Sequence, residues 1–100
     1  MTSSAPPPVL APETRVRISS SVYARPFGAE IVLLDFGRGE YFGLDEIGAE
    51  IWRGLERGDA LGAIADSLVE RYEVSREDVF RDIVSLVEQL RNESLLSIAC

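Results

Sequence analysis

Seventeen carboxylates are the only abundant side chains in this 100-residue chain able to do acid–base chemistry, and little is present to organise them. There is no His and no Lys; all ten basic residues are Arg. An imidazole base, a lysine nucleophile and histidine metal ligation are therefore excluded together. No G-x-S-x-G turn presents a serine, and Cys100 is the one cysteine, without an imidazole partner. It can form neither an internal disulfide nor a multi-cysteine metal site. A two-carboxylate hydrolase needs only Asp and Glu, but a domain of this size has little room for a substrate cleft beside its core. The expectation is a protein that is not an enzyme and holds no metal or cofactor.

The chemistry that remains belongs to the main chain. Glu40-Tyr41-Phe42-Gly43-Leu44 reads as a short aromatic strand feeding a helix, and it carries no Lys or Pro to discourage pairing. If it is the outer strand of a sheet, its free N–H and C=O groups can bond another chain.

Charge narrows the partner. The net charge is −7, and residues 1–44 hold four Arg against four acids. The excess therefore lies in residues 45–100, with six Arg and thirteen acids. An acidic helical half repels phosphates, so nucleic acid is not the expected ligand. The N-terminus has no basic region followed by an apolar run, and the longest aliphatic run is Ile31-Val32-Leu33-Leu34. Neither export nor a membrane span is expected, and the chain reads as cytoplasmic.

The elements that must position this strand can be read in order. Residues 1–14, rich in Pro, Ser and Ala, read as a disordered arm. Arg15-Val16-Arg17-Ile18-Ser19 alternates as a strand with one buried face, and Arg25-Pro26-Phe27-Gly28 breaks it. Residues 29–36 are apolar on both sets of alternate positions, which suits the middle strand of a sheet. Gly37-Arg38-Gly39 supplies a hairpin turn into Glu40–Leu44. Three helices follow. Asp45 caps the first, with Ile47, Ile51, Trp52 and Leu55 inward and Gly58 as its stop; Trp52 should be core with its indole N–H partnered. Asp59 can cap the second, which carries Leu61, Ile64, Ala65, Leu68, Val69 and Tyr72 at helical spacing, and Ser75 caps a third reaching about Arg91. The expected fold is α+β: a winged-helix-like, three-stranded antiparallel meander followed by three α-helices. The domain spans residues 15–96, and 97–100 form a tail.

In the third helix Val79, Ile83, Leu86 and Leu90 make a core stripe, while Phe80, Val84 and Val87 widen the apolar arc to ~160°. One reading is a helix central to a small core. The other is a groove in which a bound peptide adds a strand to Glu40–Leu44 and sets its side chains against the helix, with Arg81 and Asp82 alongside. A homodimer pairing these strands would cover the same edge.

The segment from Tyr41 to Trp52, with Ile64-Ala65, Leu68, Tyr72-Glu73-Val74, Asp78-Val79, Asp82-Ile83 and Leu86 to Leu90, resembles the PqqD-like family. These are the domains that recognise leader peptides of ribosomally made, modified peptides. The resemblance spans roughly Arg15 to Leu96. It implies a non-catalytic adaptor that binds a leader antiparallel to the third strand, beside the third helix. Carried onto this chain, the binding residues are Glu40, Tyr41, Phe42, Gly43 and Leu44 with Phe80, Ile83, Val84 and Val87. Asp45 and Ser94 depart from the Asn and Gly common in the family. Members serving pyrroloquinoline quinone synthesis with a radical SAM enzyme carry a Pro-Glu turn that Gly37-Arg38-Gly39 does not resemble. The chain looks more like the leader-binding partners of lasso-peptide maturation, where a cysteine peptidase and then a cyclase receive the leader. By fold alone, a winged-helix DNA-binding regulator is the other reading.

Overall fold

The structure is a computed structural model and describes residues 10–99. Its elements are β1 (Val16–Ile18), β2 (Val22–Phe27), β3 (Glu30–Asp35), β4 (Glu40–Leu44), α1 (Glu46–Arg57), α2 (Leu61–Arg71), α3 (Arg76–Asn92) and β5 (Leu96–Ile98). The class is α+β, with a three-stranded antiparallel sheet ordered β2-β3-β4.

The expected meander has the right size but the wrong first strand. β1 leaves the sheet and pairs with β5, so that the two ends of the described chain are tied together. The place of β1 is taken by β2, which runs through Arg25-Pro26-Phe27, the segment expected to be a break. Pro26 is tolerated there because β2 is an edge strand and can spare an N–H on its outer side. The break comes instead at the turn after Phe27.

β3 occupies the centre, as its two apolar faces imply. Ile31 and Leu33 face the core, while Val32 and Leu34 sit half-buried on the outer face. That face also exposes Tyr23 and Tyr41, each paired with Leu34 across the sheet, together with Phe27 and Phe36. Asp35 is the one buried charged side chain among the described residues. Its carboxylate accepts from the Ser21 hydroxyl at 3.2 Å and the Gly37 N–H at 3.0 Å, which joins the turn before β2 to the β3–β4 turn. Gly39, at φ 70, gives this turn the left-handed residue it needs to bring the chain back as β4.

The helix ends follow local chemistry. Asp45 caps α1 by accepting from the Gly48 N–H at 2.8 Å, and Ser75 caps α3 by accepting from Asp78 N–H at 3.1 Å. α2 is different: Ala60 stands at its cap, and Asp59 instead pairs with Arg57. The first N–H groups of α2 are taken up by main-chain carbonyls of the N-terminal segment, Leu61 by Thr14 at 2.9 Å and Gly62 by Pro12 at 2.7 Å. Leu10 is buried in the core. Residues 10–14, assigned from the sequence to a loose arm, are thus packed; 1–9 lie outside the described residues. The tail assigned to 97–100 is likewise part of β5 as far as Ile98, while Cys100 lies outside the described residues.

α1 and α3 both end in Schellman motifs. In α1 the Asp59 N–H reaches Gly54 O, and in α3 the Leu95 N–H reaches Leu90 O at 2.9 Å and Ser94 N–H reaches Arg91 O at 2.9 Å. Leu90 and Leu95, which bracket the second motif, are both buried. Ser94 holds φ 65 without the freedom of glycine. The two departures from the family's usual residues, Asp45 and Ser94, are therefore both helix-terminal positions.

The core lies between the sheet and the helices and centres on Leu33, Trp52, Leu55, Leu61, Leu68, Ile83 and Leu90. Trp52 is core as expected, but its Nε1 has no hydrogen-bond partner among the described residues. α1 and α2 pack closely at Gly54, where a Cβ would stand 2.6 Å from Ile64 Cγ1. Val69, at the edge of the apolar face of α2, is exposed. Tyr72 ends α2 half-buried with its hydroxyl donating to Glu46 at 3.0 Å, and desolvation and this bond raise its phenol above the ordinary value.

Two stability changes are expected. Asp35→Ala removes both bonds at a buried site and should cost about 1–3 kcal/mol in urea unfolding. Ser94→Gly relieves a left-handed serine and should gain about 1 kcal/mol in the same assay.

Candidate functional site

β4 is an edge strand: β3 pairs one side of it and no strand among the described residues pairs the other. In an antiparallel ladder such an edge leaves alternate N–H and C=O groups pointing outward. The opposite edge, β2, is guarded by Pro26 and carries Arg25 beside it. β4 has no comparable guard.

Beyond the free side of β4 lies a cleft of 710 Å³ that separates the strand from α3. Its strand wall is Tyr41, Phe42, Gly43 and Leu44; its floor includes Ile47 and Ile51 of α1; its far wall is α3. Phe42 and Leu44 share the face of the sheet that carries Ile31 and Leu33, so the cleft opens from the core side. Glu40 lies at one end, in a smaller pocket with Gly39 and Glu93. There Arg38 donates to the main-chain oxygen of Glu93 at 3.1 Å and pairs with Glu40 at 3.8 Å, which ties the β3–β4 turn to the end of α3. The other end is marked by Asp45 and by Val74 and Asp78 at the start of α3.

Of the strand half of the expected site, Tyr41, Phe42, Gly43 and Leu44 therefore line the cleft and Glu40 lies beyond its end. The helix half does not line it. Ile83 and Val87 are fully buried in the core, and Phe80 and Val84 are half-buried against it. None of these four lines the cleft. α3 presents Asp78, Val79, Asp82, Leu86, Gln89 and Leu90 instead. At ~100° per residue, Asp78, Asp82, Leu86 and Gln89 fall within ~80° of one another, and Phe80 and Val84 lie ~160° from the middle of that group. The surplus apolar arc is real, but it extends to the flank away from β4. Leu86, assigned to the core stripe, is the apolar side chain facing the cleft, and it is half-buried. Its signal in the sequence is its position where the apolar stripe meets Asp82 and Gln89. Asp82 lines the cleft; Arg81 does not, and pairs with Asp78 at 3.3 Å.

With an apolar floor and one wall of free main chain, this arrangement suits an extended peptide, whose backbone can bond β4 while alternate side chains enter the cleft beside Phe42 and Leu44. Among the described residues no group of His, Cys, Asp and Glu could hold a metal ion, and no helix is long and apolar enough to cross a membrane.

The family described as "Coenzyme PQQ synthesis protein D (PqqD)" matches residues 30–96, from β3 to the start of β5. The chain belongs to the PqqD family. This PqqD-family chain is similar to two solved structures, each at a TM-score of 0.76. One, "TbiB1 in Complex with the TbiA(beta) Leader Peptide", is 39% identical over 80% of this chain and 93% of that one. The other, "Lasso peptide synthetase B1 complexed with the leader peptide", is 32% identical over 82% and 96%. A comparison with curated proteins returns no match. Both neighbours are complexes with leader peptides, which agrees with the ligand class that the PqqD-family cleft suits.

The division of α3 into core and cleft faces can be tested by stability alone. Ile83→Ala should cost about 2–5 kcal/mol in thermal or urea unfolding, whereas Leu86→Ala, from a half-buried site, should cost about 1 kcal/mol.

Proposed function

We propose that this chain is a non-catalytic adaptor that captures the leader segment of a ribosomally made precursor peptide and presents it to maturation enzymes. The leader adds as a strand antiparallel to β4, along the Glu40–Leu44 edge, and sets alternate side chains into the cleft against Leu86 and Ile47. The observation that carries this reading is an unguarded strand edge opening onto a cleft with an apolar floor. Strand addition supplies affinity through the main chain, and the cleft supplies selectivity through the side chains.

The precursor is of the lasso class, and the enzymes served are a leader-cleaving cysteine peptidase followed by a cyclase. Support comes from the two similar structures, both of which hold a leader peptide and one of which is a lasso peptide synthetase B1. The family's description favours a second reading, a chaperone for the pyrroloquinoline quinone precursor working with a radical SAM enzyme. The turn Phe36-Gly37-Arg38-Gly39 lacks the Pro-Glu of those members. A DNA-binding role is disfavoured because α3 carries Asp78 and Asp82 along its cleft side, where phosphates would be repelled.

Titrating the labelled protein with the leader of a precursor encoded beside its gene should shift the amides of Tyr41–Leu44 together with those of Asp82–Leu90. Leu86→Asp should weaken binding by about tenfold or more with the fold retained by circular dichroism, and Val84→Glu should weaken it far less. Shifts confined to other surfaces, or a stable dimer by light scattering with β4 protected from exchange, would overturn the reading.

A further inference from the structure

The cleft has an uneven distribution of charge. Its lining includes three aspartates, Asp45, Asp78 and Asp82, and no Arg. Two of the three already have work within the chain: Asp45 caps α1 at Gly48, and Asp78 pairs with Arg81. Asp82, one turn further along α3, makes no ion pair or hydrogen bond among the described residues. It stands next to Leu86 on the wall facing β4.

The three acids are also confined to one end. β4 runs from Glu40, beside Glu93 at the end of α3, to Leu44, which leads into Asp45. α3 runs in the opposite sense, so that Asp78 and Asp82 in its first two turns stand at the Leu44 end and Leu86, Gln89 and Leu90 towards the Glu40 end. A segment antiparallel to β4 therefore enters with its N-terminal half against the acids and leaves with its C-terminal half against Leu86 and Leu90.

We infer that the cleft selects a peptide with a cationic side chain, Lys or Arg, in the N-terminal half of the bound segment, placed against Asp82 with Asp45 and Asp78 behind it. This deepens the peptide-binding reading and rests on it. The peptide is indicated independently by the free edge of β4; the acids add the residue class and its position. A cation here neutralises like charges gathered at one end of the cleft, and its aliphatic stem can cover the apolar floor at Ile47. An acidic residue at the same position would be repelled by Asp82, which has no cation of its own among the described residues, so this end of the cleft also rejects wrong segments.

The test uses a phage-displayed library of randomised 15-residue peptides, panned against the full chain at low salt, with a synthetic copy of the dominant binder for affinity measurements. Binders should share a Lys or Arg on the N-terminal side of their apolar anchors. Replacing that residue by Glu should weaken binding to the wild type by about five- to tenfold, and the Asp82→Lys variant should recover most of the loss. Leu86→Asp should weaken every binder whatever its charge. Binders that shift Tyr41–Leu44 amides but show no basic preference, or that tolerate the Glu replacement, would overturn the charge selection while leaving peptide capture standing. An absence of binders at the β4 edge would overturn both.

Discussion

The unpaired side of β4 is the constraint on which the rest of the molecule depends. A strand edge needs a guard, a cover or a partner. β2, at the other side of the same sheet, has a guard in Pro26, and the two-stranded sheet β1-β5 is closed off by its shortness. β4 has neither guard nor cover, because α3 is held away from it by the width of the cleft. That separation is a feature of the core: Ile83, Val87 and Leu90 turn α3 inward, leaving its other flank facing the strand across open space.

Keeping the cleft open requires that α3 and the β3–β4 turn stay in register with each other. Three sets of contacts achieve this. Arg38 bridges the turn to Glu93, the Schellman motif with buried Leu90 and Leu95 fixes the end of α3, and β5 then carries the chain back to pair with β1. At the far end, Asp45 closes β4 and opens α1 in a single residue. The wall formed by β4 and the scaffold are therefore one continuous piece, and the peptide proposed to add to β4 would meet a preformed site in which little ordering entropy is left to lose.

The polarity of α3 divides the work between its faces. One flank is sealed into the core, and the other combines Leu86 with Asp82 and Gln89. An apolar side chain set among polar ones is a poor contributor to folding but a good contributor to a binding surface, since its burial is completed only when a ligand arrives. The two similar structures each hold a leader peptide on a fold that matches this one at a TM-score of 0.76.

Much of this was legible in the residues themselves. Asp45, Gly58 and Ser75 mark helix ends by local hydrogen bonding, and the two-faced apolarity of residues 30–35 marks a central strand; both are short-range effects that a sequence carries directly. The Glu40–Leu44 edge was legible for the same reason, as an aromatic strand without a guard. Three things were decided only by the tertiary structure. Which strand joined β3 depended on long-range pairing: β1 found β5 at the other end of the chain, with Val16 opposite Ile98 and Ile18 opposite Leu96, and freed β2 to extend through Pro26. The start of α2 depended on carbonyls of Pro12 and Thr14 arriving from the N-terminal segment, which no residue near Ala60 announces. Finally, a helical wheel fixes the angles among Phe80, Ile83, Val84, Leu86 and Val87 but not the direction of the core, and it is the packing of α3 on α2 and β5 that rotated Leu86 and Asp82, rather than Phe80 and Val84, towards the open strand.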